Sequence, residues 1–509
     1  MVRGSRAFGP LQEYDNIVYH VSVKEKYPMT YIFKTKPYDH QRRVFEESWK
    51  EPFHGWFLEM GTGKTKIALD NAAALYEAGK INSVLIVAPK GVYDNWVKRE
   101  IPTHLPDRID TLLVRWQANL TKGFREQMTE LVRRADPRLR ILVMNVEALS
   151  TKKGATAAFL YLENHPDNLV IVDESTTIKN RKAARTSNII KCGRLAKYRR
   201  ILTGSPITKS PMDLFSQCEF LDREALGHKS YYGFQARYAE IQRRTLGHRS
   251  FQEITGYRRL DELGEKLGGF SHRILKEECL DLPDKVYVTR IVPLTDEQKR
   301  VYKEMKKFSL AQIDSGELAT TTSILTQIMR LQQIVCGFLP SDEDGIKTLP
   351  NNRLTELLDT VEEVQGKVII WAAWVHNVQE ITDALRRRFG PEAAASFYGE
   401  TPQDERQNTV DLFQDQTSPL RFFVGTPRTG GYGLTLTAAN TVIYYANNYD
   451  LEIRLQSEDR AHRIGQEKSV TYIDIVAEGT IDEKILDALQ AKSNIASDVL
   501  GEKARKWFS

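Results

Sequence analysis

The chemistry of this sequence starts at Leu58 to Thr65, which reads Leu-Glu-Met-Gly-Thr-Gly-Lys-Thr. Gly61, Thr62 and Gly63 make a turn whose backbone N–H groups can converge on one anion, because glycine tolerates positive φ and lets a polyphosphate approach closely. A helix opening at Lys64 would add the positive end of its dipole. Lys64 can then reach the β- and γ-phosphates of a nucleoside triphosphate, and the Thr65 hydroxyl can hold a magnesium ion. The strict phosphate-loop pattern has a glycine where this chain has Leu58, so the match is to the looser Gly-x-Gly-Lys-Thr form.

Asp173-Glu174 follows directly on the apolar run Leu169 to Val172. Beside a phosphate loop, Asp173 can hold the magnesium through its water shell, and Glu174 can orient or deprotonate the attacking water. Without such a loop, the pair is an acidic helix start. Arg460 and Arg463 lie three apart and share a helical face. Two guanidinium groups there suit the charge that develops on a γ-phosphoryl oxygen, although the spacing also serves a surface salt-bridge network. Gln41 precedes Val44 and Phe45 of a helix, and its amide offers the donor and acceptor that an adenine edge requires; a surface glutamine is the alternative.

These groups need rigid elements to hold them. Short β-branched runs at Val84 to Val87, Ile141 to Met144, Leu169 to Val172 and Ile201-Leu202 alternate with helical stretches, which predicts a parallel sheet covered on both faces. The polar segments Ala88-Pro89-Lys90, Asn145-Val146-Glu147, Asp173-Glu174 and Thr203-Gly204-Ser205-Pro206 fall at the carboxyl ends of those runs, where such sheets gather their chemistry. A second series has strands at Val368 to Trp371, Phe422 to Val424, Val442 to Tyr445 and Val470 to Ile475, with the glycine turn Gly430-Gly431-Tyr432-Gly433 among them. Residues 207 to 350 look mainly helical, and Leu282 to Lys285 reads as a linker. The expected division is a strand-rich segment over 1–33, a first α/β lobe over 34–285, a helical insertion over 286–350 and a second lobe over 351–509.

Composition agrees with globular lobes. The 509 residues are 41% apolar and 27% charged, with a net charge of +5. The four cysteines never form a Cys-x-x-Cys pair, so free thiols are expected rather than a zinc site or disulfides. No apolar stretch is long enough to span a membrane, and a cytoplasmic location is expected.

Taken together, the motifs resemble those of the superfamily-two helicases and translocases, and among them the Swi/Snf-type DNA-dependent ATPases. The resemblance runs over roughly residues 34 to 490 and rests on Glu59 to Thr65, Asp173-Glu174 with Ile178-Lys179-Asn180, Leu202 to Ile207, Gln456 to Gln466 and Glu478 to Glu483. It implies tandem RecA-like lobes with ATP and Mg²⁺ between them. The first lobe would contribute Gln41, Gly61, Thr62, Gly63, Lys64, Thr65, Asp173 and Glu174, and the second Gln456, Arg460 and Arg463. By family position, nucleic-acid contacts would fall to Lys90, Trp96, Ser205, Lys209, Gly431 and Thr435, with Trp96 equally suited to a core. Three departures bear on coupling: Ser175-Thr176 replaces the usual Ala-His, Lys209 stands where asparagine is common, and so does Thr435.

The implied activity is ATP-driven translocation on duplex or branched DNA, remodelling DNA structures or DNA-bound proteins. A strand-separating helicase acting in fork regression, branch migration or repair is the alternative enzyme, with RNA as a third track. A nucleotide-gated binding switch is the alternative outside the enzymes, and Glu174, Arg460 and Arg463 together argue against it. A monomer is expected, targeted by protein partners or by the shape of the DNA.

Overall fold

The computed structural model describes residues 19–20, 31–90, 92–119, 121–133, 136–246, 249–280, 282–314, 321–341, 345–430 and 434–500. The apolar runs become two all-parallel sheets, so the chain is α/β with two lobes, as expected. The first sheet has seven strands in the order Ser271–Ile274, Phe53–Leu58, Tyr198–Leu202, Asn168–Asp173, Ser83–Ala88, Leu139–Asn145 and Thr111–Arg115. The second has six, in the order Lys285–Val292, Val470–Ala477, Ala439–Tyr444, Lys367–Trp371, Phe422–Gly425 and Ala394–Phe397.

Ser83–Ala88 shows why its sequence is apolar without a break. Every residue is buried, with Leu85 and Val87 in the core on one face of the sheet and Val84, Ile86 and Ala88 in the core on the other. Strand side chains alternate, so a strand covered on both sides has no polar position to spare.

Three elements differ from the expectation. The insertion does not begin at 286: Lys285–Val292 pairs in parallel with Val470–Ala477 and forms an edge of the second sheet. Its β-branched residues, Val286, Val288, Thr289, Ile291 and Val292, are a strand signal, obscured by the helical periodicity of the residues after it. The helices follow at Asp296–Asp314 and Thr321–Val335. Within the stretch read as mainly helical, Ala239–Leu246 and Arg249–Tyr257 form an antiparallel ribbon, whose described residues are largely solvent-facing and so carry little hydrophobic alternation. Of the strand-rich segment at 1–33, only 19–20 and 31–33 are described, and Tyr19–His20 pairs with Ile32–Phe33.

The lobes are also strapped together. Helix Ile481–Leu500 leaves the second sheet and brings Val499 into the core of the first lobe beside Leu263 and Leu267. Gly264 makes room for it, since a Cβ there would sit 2.5 Å from the Val499 carbonyl oxygen. Among the described residues, no helix is long and apolar enough to cross a membrane.

Candidate active site in the cleft

The phosphate loop joins strand Phe53–Leu58 to helix Lys64–Glu77. Gly61 and Gly63 have φ of +83° and +86°, which side-chain-bearing residues rarely adopt. Gly63 is doubly constrained, because a Cβ would fall 2.0 Å from Gln41 Nε2. Leu58 places its side chain in the core and its carbonyl oxygen 2.9 Å from Lys64 Nζ, which also donates to the Glu59 carbonyl at 3.2 Å. Burial lowers the pKa of the Lys64 ammonium, while Glu174 and Asp173 pull it back up. The Thr62 hydroxyl closes the turn by donating to the Glu59 carbonyl at 2.7 Å.

Asp173 ends its buried strand, and its carboxylate is spanned by two donors. Trp96 Nε1 donates to Oδ2 at 2.9 Å and the Glu174 N–H to Oδ1 at 3.0 Å. Glu174 is held in the left-handed region, at φ 47° and ψ 63°, a conformation costing on the order of 1 kcal/mol for a residue with a side chain. Burial, with Asp173 and Glu452 nearby, raises the Glu174 carboxyl to about 7 against the opposing pull of Lys64. A carboxyl titrating there suits general-base work at neutral pH.

Arg460 and Arg463 approach from the second lobe, and the Nη1 of each donates to the Leu434 carbonyl at 3.1 Å. Their segment is braced from within the lobe: Arg454 bonds Glu458 at 2.9 Å and Asp474 at 2.6 Å, and Tyr472 donates to the Glu458 carbonyl at 2.8 Å. The result is a cavity of about 430 Å³ between the lobes. Gly61, Gly63, Lys64, Thr65, Asp173 and Glu174 line one wall, and Thr435, Asp459, Arg460 and Arg463 the other. A glycine cradle with an ammonium fits a polyphosphate. The Thr65 hydroxyl and Asp173 carboxylate fit a hard cation that keeps several waters and shares its coordination with phosphates. Among the described residues, no group of three or more His, Cys, Asp or Glu side chains could hold a metal alone.

Several expected residues lie elsewhere. Trp96 is fully buried and serves Asp173, so it is not a nucleic-acid contact; an indole N–H in a core needs an acceptor, and the strand-end carboxylate supplies one. Gln41 is absent from the cavity wall: its Oε1 accepts from the Tyr38 N–H and its Nε2 donates to the Thr62 carbonyl, both at 3.0 Å, so it braces the phosphate loop. Gln456 is buried and turned toward Glu452, with Nε2 3.4 Å from Oε1. Thr435 faces the cavity between the lobes, and Ser205 lines a small cavity with Leu451 and Leu455 of the second lobe. Lys90 and Lys209 are exposed, and Gly431 lies outside the described residues.

Sequence reasoning also missed residues that belong here. Asn95, Arg99, Glu100 and His104 line the cavity from the irregular helical stretch around Trp96, which includes a π-helical turn over Trp96–Glu100 and so lacks a readable period. Lys276 and Glu452 cross between the lobes, and nothing local marks either.

Comparison with known proteins fits this arrangement. The description of the SNF2-related domain matches residues 43–338, and that of the helicase conserved C-terminal domain matches residues 350–465. The DNA annealing helicase and endonuclease ZRANB3 of Mus musculus is 28% identical over 458 residues, covering 88% of this chain and 39% of that protein. The chromatin remodeling factor mit1 of Schizosaccharomyces pombe is 26% identical over 467 residues, covering 85% of this chain and 30% of that protein. The chain spans less than half the length of these curated relatives. A solved structure, the Sulfolobus solfataricus SWI2/SNF2 ATPase core in complex with dsDNA, overlays loosely, with a TM-score of 0.40 at 22% identity over 92% of this chain and 93% of that one.

Proposed function

The chain belongs to the SNF2-related family, and we propose that it is an ATP-dependent translocase on double-stranded DNA that remodels DNA structures or DNA-bound proteins. One observation carries this reading: a single cavity has the phosphate loop and paired carboxylates on the wall of one lobe and two arginines on the wall of the other. A protein that only binds nucleotide has no use for all three sets.

The triphosphate lies along Gly61 to Thr65, with Lys64 leaving the Leu58 and Glu59 carbonyls for the β- and γ-oxygens. Mg²⁺, held by Thr65 and Asp173, would neutralise charge between those phosphates. Glu174 takes the proton of the attacking water, its raised pKa matching that task. Arg460 and Arg463 turn from the Leu434 carbonyl onto the γ-phosphoryl oxygens as charge builds there. Hydrolysis therefore requires the lobes to be together, and alternate closing and opening moves the duplex past them. Track contacts fall on phosphates, since a motor that passes any sequence cannot depend on base edges.

The test is ATPase activity of the full chain titrated with duplex DNA, branched DNA, single-stranded DNA and RNA, alongside Lys64→Ala and Glu174→Gln. Duplex-stimulated turnover that both substitutions abolish is the expected result, and undiminished turnover by Lys64→Ala refutes the assignment. Triplex displacement without fork unwinding supports translocation, whereas robust unwinding makes the protein a strand-separating helicase.

A further inference from the structure

Thr176 and Lys179 lie just beyond Glu174 in the first lobe, and the second lobe meets both with one carboxylate. Glu452 stands at the start of helix Leu451–Glu458. Its Oε1 accepts from Thr176 Oγ1 at 2.6 Å, and its Oε2 accepts from Lys179 Nζ at 2.9 Å. Thr176 is buried, and the Lys179 and Glu452 side chains are only 17% and 14% exposed. Both bonds cross the lobe boundary, and both land on the segment that follows Glu174.

The contacts continue in two directions. Lys179 Nζ also donates to Thr208 Oγ1 at 2.7 Å. The backbone N–H groups of Thr208 and Lys209 converge on Asp213 Oδ2 at 3.1 and 2.7 Å, so the exposed Lys209 rides on a loop fastened to Lys179. On the other side, Gln456 Nε2 reaches Glu452 Oε1 at 3.4 Å, one helical turn before Arg460. Contacts thus run from an exposed cation through Thr208, Lys179 and Glu452 to the turn Ser175–Ile178 beside Glu174.

We propose that Glu452 is a positioning residue that couples engagement of a nucleic-acid backbone at Lys209 to ATP hydrolysis, through its bonds to Thr176 and Lys179. One carboxylate makes both cross-lobe bonds, so separating the lobes breaks them together. This inference rests on the translocase reading above.

The experiment measures the ratio of duplex-stimulated to basal ATPase in the full chain, with KM for ATP, for wild type, Glu452→Gln, Thr176→Val, Lys179→Glu and the swap Lys179→Glu with Glu452→Lys. Glu452→Gln keeps shape and loses charge, and should lower the ratio about tenfold with KM for ATP unmoved, within the usual range of coupling between sites. Thr176→Val removes one bond without altering charge and should give a smaller loss. The swap should recover part of what Lys179→Glu loses. Wild-type ratios in Glu452→Gln and Thr176→Val, even with lowered thermal stability, overturn the inference and leave Glu452 an interface brace. A wild-type ATPase indifferent to duplex overturns the translocase reading as well; a responsive wild type with equally responsive variants overturns this inference alone.

Discussion

Lys276→Met tests whether the two lobes form one catalytic site. Lys276 follows strand Ser271–Ile274 of the first lobe, and its side chain is 4% exposed. Nζ donates to Asp459 Oδ1 and to the His462 carbonyl, each at 2.7 Å, on either side of Arg460. Its backbone N–H donates to Glu59 Oε2 at 2.8 Å, next to the phosphate loop. One residue therefore fastens the loop to the arginine segment. At 2.7 Å and an effective dielectric of about 20, the gross attraction to Asp459 is about 6 kcal/mol. Much of this is offset by burial, which holds the Lys276 ammonium down to about 8. Removing one partner of a buried pair nonetheless costs about 3–5 kcal/mol. Lys285 Nζ, 3.7 Å from Asp459, takes up some of the stranded charge and favours the lower end. About 3 kcal/mol against the closed arrangement corresponds to a fall in kcat of about 100-fold at saturating ATP and duplex, with Lys276→Arg keeping activity within about tenfold. Steady-state ATPase assays read both variants. A Lys276→Met enzyme within about threefold of wild-type kcat would refute the reasoning, since that change is worth less than about 1 kcal/mol.

Three other outcomes follow from the same geometry. Trp96→Phe keeps an aromatic side chain, though a smaller one, and removes the donor to Asp173 Oδ2, so kcat should fall about tenfold, in line with about 1.5 kcal/mol for a hydrogen bond to a charged group, while duplex affinity measured by fluorescence anisotropy stays put. His54 is buried against His272 at 2.7 Å, and burial depresses its pKa to about 2. Its folded-state value lies below the unfolded value of about 6.5, so its contribution is present above that pH and lost as pH falls; about 2 kcal/mol should go between pH 7 and pH 5, and His54→Gln should flatten that limb in urea titrations. Gly264→Ala drives a methyl group to 2.5 Å from the Val499 carbonyl, which should cost about 1–3 kcal/mol and expose the last turns of helix Ile481–Leu500 to limited proteolysis.

What the sequence determined by itself is whatever depends on neighbours in the chain. Glycines at 61 and 63 before Lys64-Thr65, a carboxylate pair ending an apolar strand, and two arginines one helical turn apart are local patterns, and each lines the cavity between the lobes. The two parallel sheets were readable for the same reason, since burial on both faces demands unbroken apolar runs such as Val84 to Val87. Tertiary structure decided which side chain meets which. It turned Trp96 inward to Asp173 and Gln41 onto Thr62, and it made Lys285–Val292 an edge strand of the second sheet. It also paired Lys276 with Asp459 and Thr176 with Glu452, 183 and 276 positions away. Periodicity reports which face of an element is buried, but it carries no information about what packs against that face. That choice is made only when the lobes come together and each buried donor must find an acceptor.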